Sequence, residues 1–206
     1  MKALAISLSI ACCIYLVACN PIKQADRKAQ KNTIIDLYPQ YPFDSAEAKR
    51  ALTYGEVNIT GVVYTKAKND YGIRMGKPIY GNNLMITLFP VTPYFNEWYA
   101  MRKQKENKRT RVFMSDTAFH YRLTTQSDEY GRFKFEKMRP GKYFVQAILD
   151  WYLTKNYKDY VGGGTDGYYS VSYYQWKTYN ENHSDRLEQF IEIKEGQKEN
   201  VVLKLH

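Results

Sequence analysis

Three consecutive residues, His183, Ser184 and Asp185, have the side-chain types of a hydrolytic catalytic triad. A triad needs side chains that converge on one point, which consecutive residues do not achieve without unusual folding. The other histidines are His120 and His206, and no His-Glu-x-x-His arrangement for a zinc site is present. We therefore expect no catalytic residue, metal or cofactor, and a hydrolase is only a remote alternative.

A basic run in the middle of the chain has residue types that bind anions. It consists of Arg102, Lys103, Lys105, Lys108, Arg109 and Arg111. The run follows Thr92-Pro93, which predicts the start of a short helix. Two interpretations are open: a solvated helix end and loop, or a patch that contacts lipid head groups, a glycan or an acidic partner protein.

A second cluster is aromatic, and its candidate partner-binding residues are Trp151, Tyr152, Tyr168, Tyr174 and Trp176. Packing in a core would explain buried rings, because burying one contributes about 1.5 to 3 kcal/mol. Alternation along a strand, however, places Tyr168, Tyr174 and Trp176 on one side, opposite Tyr169 and Tyr173. Exposed rings could stack on sugars or fill a protein interface.

The N-terminal segment is almost uncharged from Ala3 to Ala18, and its length favours a secretion signal over a membrane span. The segment closes on Leu16-Val17-Ala18-Cys19, which resembles the bacterial lipobox. The resemblance implies a signal peptide at 1–18, cleavage before Cys19, and a lipid attached to Cys19 that anchors the protein in the membrane. Asn20, which replaces the aspartate of inner-membrane retention, implies sorting to the outer membrane.

Charge and cysteine content limit the classes of partner and fold. Cys12 and Cys13 leave with the signal, so the fold has no disulfide. The net charge of +9 suits anionic lipid, acidic polysaccharide or nucleic acid. Secretion to the cell envelope makes nucleic acid the least favoured of these, and we expect no nucleic-acid partner.

The remainder of the chain predicts one all-β domain behind a tether. We expect a flexible tether at 19–43, a short helix and lead-in at 44–56, and a β-sandwich at 57–206. Ala46, Leu52 and Tyr54 of the helix and lead-in should pack against the sandwich. Beyond Gly55 the apolar periodicity becomes 2. About seven to eight short strands are predicted, at 57–63, 84–89, 120–125, 132–135, 142–149, 168–177, 189–193 and 200–205. They predict an antiparallel Greek-key sandwich, with insertions at 91–118 and 150–180.

The stretch DEYGRFKFEKMRPGKYFV, residues 128–145, shows how turns and strands alternate. Gly131 and Gly141 are predicted to supply left-handed turn positions. Phe133 and Phe135 should face the core, as should Tyr143 and alternate residues after it. Every residue of this stretch has a structural use, so none is assigned to chemistry.

Three segments resemble the carboxypeptidase regulatory-like domain, a transthyretin-like sandwich. They are Ile59–Val63, Gly76–Leu88 with its Gly-x-Pro and Gly-Asn-Asn turns, and Thr125–Tyr143 with its Asp-x-x-Gly and Pro-Gly turns. The resemblance implies a binding or structural module without a reaction. We therefore expect a non-catalytic lipoprotein that serves as a binding or assembly module for an envelope protein. The alternative is a carbohydrate- or peptidoglycan-binding lipoprotein that uses exposed Tyr and Trp.

Overall fold

The computed structural model describes residues 33–69, 71–196 and 199–204. The predicted signal peptide at 1–18 and the predicted lipid attachment at Cys19 lie outside these residues. Within the described ranges, no helix combines the length and apolar character needed to cross a bilayer. The described chain forms two compact units, residues 33–41 with 97–115 (the small unit) and residues 42–96 with 116–204 (the sandwich unit).

Strands dominate the secondary structure, so the all-β prediction is confirmed. The strands of the described residues are β1 (Ile35–Leu37), β2 (Val57–Thr65), β3 (Ile79–Tyr80), β4 (Met85–Pro90), β5 (Thr110–Val112), β6 (Leu123–Gln126), β7 (Arg132–Met138), β8 (Gly141–Thr165), β9 (Ser170–Ile193) and β10 (Glu199–Leu203). The helices are α1 (Ser45–Ala51), α2 (Pro93–Lys105) and α3 (Asp116–His120). His120, predicted to start a strand, ends α3, and the next strand begins at Leu123.

The small unit corrects the prediction that the flexible tether runs to residue 43. β1 pairs with β5 in parallel, with Ile35 opposite Thr110. The carboxylate of Glu97 accepts hydrogen bonds from the backbone nitrogens of Gln40 (3.1 Å) and Tyr41 (2.6 Å). Backbone groups that a tether would leave to water are therefore paired within the fold.

The sandwich unit has two sheets. In one, β2 pairs with β10 and β7, and β3 pairs with the end of β2; in the other the order is β6-β4-β8-β9. Buried side chains from both sheets form one core, which includes Ile59, Phe133, Val145, Leu187 and Leu203. One ladder departs from antiparallel pairing, because β10 runs parallel to β2.

Helix α1 confirms the predicted short helix and its cap. The carboxylate of Asp44 accepts hydrogen bonds from the backbone nitrogens of Ala46 (2.8 Å) and Glu47 (3.1 Å). The buried contact comes from Ala48, whereas Tyr54, expected to lean on the domain, is 89% exposed. That expectation is therefore wrong for Tyr54 and for the exposed Ala46, whereas Leu52 packs against the core as predicted.

The stretch 128–145 forms the predicted turn and strands, but one of the two predicted left-handed residues lies at a different position. Gly131 has the expected positive φ of +72°, and Phe133 and Phe135 are buried. Gly141, with φ of +159°, is close to extended, and the left-handed position belongs instead to Lys137 with φ of +54°. Lys137 lies at a register shift between β2 and β7, where β7 carries one extra residue between Phe135 and Met138.

Strands β8 and β9 form a hairpin much longer than predicted. The segments predicted at 168–177 and 189–193 belong to the single 24-residue strand β9, and β8 has 25 residues. Strand β4 pairs with β8 only at Tyr143–Ala147, so in the described residues β8 pairs beyond that point with β9 alone. We name residues 150–184 the hairpin arm. Its strands extend for about 50 Å at 3.3 Å per residue.

Candidate functional site

The hairpin arm has two faces, because cross-strand partners in an antiparallel ladder project to the same side. One face continues the sandwich core, and we name it the core-side face. The other we name the aromatic-amide face. β8 contributes Tyr152, Thr154, Asn156, Lys158 and Tyr160 to it, and β9 contributes Tyr174, Trp176, Thr178, Asn180, Asn182 and Ser184.

The core-side face carries charges that are paired across the strands. Lys155 Nζ lies 2.5 Å from Glu181 Oε2, and Lys177 forms an ion pair with Asp159. The hydrogen bond from Lys155 lowers the pKa of Glu181, and the hydrogen bond to Asp159 raises the pKa of Lys177. These charges stabilise one another, so this face does not offer free charge to a ligand at those positions.

A polar cluster fixes the root of the arm to the sandwich. Asp185 accepts hydrogen bonds from Thr65 Oγ1 (2.6 Å), from Arg74 Nη1 and Nη2 (3.0 and 3.2 Å), and from Trp151 Nε1 (3.0 Å). Burial raises the pKa of the Asp185 carboxyl. The hydrogen bonds from the three donors and the charge of Arg74 outweigh burial, so this pKa lies below its ordinary value.

The same cluster corrects the assignment of Trp151 to an exposed binding surface. Trp151 is only 8% exposed, and its ring stacks on His183 with centroids 4.3 Å apart. Its indole nitrogen donates a hydrogen bond to the carboxylate of Asp185. Trp151 is therefore a core residue that holds the arm at its root.

The aromatic-amide face is exposed along its whole length, from Tyr152 to Tyr160 and from Tyr174 to Ser184. Tyr152 is 64% and Trp176 is 66% exposed. The rings of Tyr160 and Tyr174 form an edge contact with centroids 5.8 Å apart. Lys158 Nζ lies 5.1 Å from the ring centroid of Trp176. Two of the predicted aromatic residues, Tyr174 and Trp176, thus join Lys158 and Tyr160, and we name these four residues the distal ring cluster.

Neutral polar side chains lie between Tyr152 and the distal ring cluster. They are Thr154, Asn156, Thr178 and Asn180, and the hydroxyl of Thr154 donates a 2.8 Å hydrogen bond to Asn180 Oδ1. Amides and hydroxyls are both donors and acceptors without charge. Sequence reasoning missed these residues, because their place beside the rings depends on the register between β8 and β9.

A hollow of about 370 Å³ lies at the root of this face. Asp150, Tyr152, Asn182 and Ser184 line it, together with parts of Trp151 and His183. The hollow combines an exposed ring with a carboxylate, an amide and a hydroxyl. We name it the root hollow, and its groups can hydrogen-bond a polyhydroxylated ligand while the ring contacts an apolar face.

The turn of the arm holds the remaining predicted aromatic residue. Asp166 accepts hydrogen bonds from the backbone nitrogens of Tyr168 (3.0 Å) and Tyr169 (2.7 Å). These bonds lower the pKa of the exposed Asp166 carboxyl. Tyr168 is 92% exposed but sits in the turn, so it does not belong to the aromatic-amide face.

The residues of the basic run differ in their surroundings. Arg102 is 5% exposed, with its guanidinium 4.6 Å from the ring centroid of Trp98. Arg111 forms a two-pronged ion pair with Asp36, at 2.9 and 3.2 Å. Arg102 is therefore buried, which corrects its assignment to an exposed surface, whereas Arg111 is exposed and paired with Asp36. Lys103, Lys105, Lys108 and Arg109 are exposed, which is compatible with both interpretations of the run.

The triad-type residues at 183–185 do not converge. Strand alternation places Ser184 on the aromatic-amide face, while His183 and Asp185 project to the core side. Across residues 33–69, 71–196 and 199–204, no group of His, Cys, Asp and Glu has a metal-binding arrangement. What the arm does assemble is a surface of exposed rings and neutral polar groups.

Comparisons with known proteins give information on the fold of this chain. No family model and no curated protein matches the chain. A crystal structure of a "putative carbohydrate binding protein" from Pseudomonas aeruginosa is similar, with a TM-score of 0.54 and 20% identity. The likeness covers 82% of this chain and 100% of that chain. At this level of identity it shows that the two chains share a fold.

Proposed function

We propose that this protein is a non-catalytic module that binds carbohydrate through the aromatic-amide face of the hairpin arm. The observation that carries the proposal is the division of the arm into two faces. On the core-side face the exposed ring pair Tyr157–Tyr179 lies among charged side chains that pair with one another, whereas on the other face exposed rings lie among neutral amides and hydroxyls.

This set of groups matches the chemistry of a sugar. The C–H faces of a pyranose ring stack on Tyr and Trp, and its hydroxyls exchange hydrogen bonds with amides and hydroxyls. The structural likeness to a protein that is described as carbohydrate-binding supports the same class of ligand. A sugar ligand is therefore favoured over the protein partner that the sequence first suggested.

Retention on insoluble polysaccharides tests the proposal. The purified full chain should be retained by at least one of cellulose, chitin, xylan and peptidoglycan. The double variant Tyr174→Ala/Trp176→Ala should lose that retention. The matched control, Tyr157→Ala/Tyr179→Ala, removes a ring pair from the core-side face and should be retained like the wild type. Equal retention of both variants, or none of the wild type, contradicts the proposal.

A protein partner is the second candidate, and one observation favours it. In the described residues β9 pairs with β8 alone, so the arm presents strand edges that could accept another strand. Cross-linking in cells followed by mass spectrometry separates the two candidates. A protein cross-linked to arm residues in a preparation that polysaccharides do not retain would favour the second.

We further propose that a lipid on Cys19 anchors the protein in the cell envelope, at the outer membrane. The anchor and the location rest on the signal-like segment and the lipobox resemblance at the N-terminus. Labelling with a palmitate analogue should mark the wild type and leave Cys19→Ala unmarked. Neutralising Lys103, Lys105, Lys108 and Arg109 should leave membrane fractionation unchanged, because the acyl chains supply about 0.8 kcal/mol per carbon.

A further inference from the structure

Resting on the proposed carbohydrate binding, we infer that the ligand is a neutral β-1,4-linked polysaccharide that lies extended along the arm. The chain contacts the root hollow at one end and the distal ring cluster at the other. A short sugar would use one of these two subsites, whereas a long chain would use both.

The two subsites are too far apart for one short sugar to contact both. Tyr152 in the root hollow and Lys158 in the distal ring cluster are six residues apart on the same strand. At 3.3 Å per residue their backbones are about 20 Å apart. A disaccharide is too short to bridge that distance, so simultaneous contact requires a longer chain.

The residues between the subsites provide continuity. Thr154 and Asn156 on β8 and Thr178 and Asn180 on β9 are exposed and lie on the same face. The hydrogen bond from Thr154 uses the carbonyl oxygen of Asn180, which leaves the amide group of that side chain as a donor for a ligand. Polar groups therefore recur at every second residue along each strand, as a ligand with regularly repeating hydroxyls requires.

The form of the face selects an extended chain. A site for a small sugar encloses most of the ligand surface. Here every residue of the aromatic-amide face is exposed, so a ligand rests on the face instead of entering a cavity. A β-1,4-linked chain of pyranose rings is an extended ribbon with apolar C–H surfaces, which matches exposed rings at two places along a strand pair.

The charge of the face selects a neutral chain. The aromatic-amide face carries two charged residues of opposite sign, Lys158 in the distal ring cluster and Asp150, the cross-strand partner of Ser184, at the root. An acidic polysaccharide would need a row of cations to compensate its repeated charge. The exposed lysines and arginine of the basic run are in the small unit and do not belong to this face.

Calorimetric titration of the full chain with chito-oligosaccharides and cello-oligosaccharides tests the inference. In at least one series, affinity should rise by about tenfold or more from disaccharide to octasaccharide. Trp176→Ala and Tyr152→Ala should each abolish that rise, because each removes one of the two subsites that a long chain bridges. Tyr157→Ala, on the core-side face, is the matched control and should behave as the wild type.

The possible results separate this inference from the proposed function. Equal affinity for disaccharide and octasaccharide would overturn the inference and leave carbohydrate binding in place. The same holds if neither series binds while a polysaccharide column still retains the protein. If no polysaccharide retains it, both the inference and the proposed function fail. Circular dichroism of each variant excludes loss of the fold as the cause of a negative result.

Discussion

The indole nitrogen of Trp151 donates a 3.0 Å hydrogen bond to the Asp185 carboxylate, across the two strands at the root of the hairpin arm. The same carboxylate binds Thr65, the last residue of β2, and Arg74, which lies in the segment between β2 and β3. One acid thus joins the arm to both sheets. This contact determines where the aromatic-amide face begins, because beyond it the arm consists of β8 and β9 alone.

Replacing Asp185 should destabilise the sandwich. The side chains of Arg74 and Asp185 are 15% and 13% exposed, so Asp185→Asn leaves a largely buried guanidinium without its counter-charge. We expect a loss of about 3 kcal/mol in the free energy of unfolding. Urea denaturation measures it. The matched control is Asp159→Asn, which removes an exposed ion pair of the arm and should change little; equal losses would contradict this role of Asp185.

The contribution of Asp185 should also depend on pH. Its pKa is lowered in the fold, so its stabilising effect is complete above the unfolded pKa of about 4 and is lost as pH falls through the folded value. Asp128 and Glu181 also have lowered pKa values, but both are exposed. Both are present in the wild type and in Asp185→Asn, so their effect on stability cancels in the difference between the two. The difference in unfolding free energy between wild type and Asp185→Asn should therefore shrink towards low pH. A difference that is constant from neutral pH to below the folded pKa would refute this account.

Local features were predictable from the sequence because neighbouring residues determine them. The Asp44 cap of α1 and the alternation of Phe133 and Phe135 follow from residue type and spacing. The turn at Gly131 is also predictable from residue type and spacing, because the Asp128 side chain accepts hydrogen bonds from the backbone nitrogens of Tyr130 and Arg132.

Long-range features were not predictable in the same way. Arg74 and Asp185 are 111 residues apart, and nothing in a single sequence pairs them. The sequence analysis placed an insertion at 150–180 because three consecutive glycines, Gly162–Gly164, interrupt the strand pattern there, although Asp166-Gly167 is a hairpin-turn signal. Without that turn the register is unknown, and Tyr160 cannot be placed opposite Tyr174.

Gly131 should tolerate no side chain. Its φ is +72°, and a Cβ at this position would lie 2.4 Å from the carbonyl oxygen of Val63. Gly76 has φ of +88° with no heavy atom within 4 Å of a Cβ, so it isolates the cost of the backbone angle. We expect Gly131→Ala to lower the unfolding free energy by at least about 1 kcal/mol more than Gly76→Ala does. Equal melting temperatures for the two variants would show that the Val63 contact relaxes without cost.

The distal half of the arm should open far more often than the sandwich. A two-stranded hairpin in water is marginal on its own, and residues 154–180 have the support of neither β4 nor the core. Hydrogen exchange measured by mass spectrometry should be fast in peptides covering these residues and slow in β4 and at Trp151. An added polysaccharide that lies along the aromatic-amide face should slow exchange from Tyr152 to Tyr160, since opening would break its contacts. Slowing confined to peptides around β4 would instead place the ligand elsewhere.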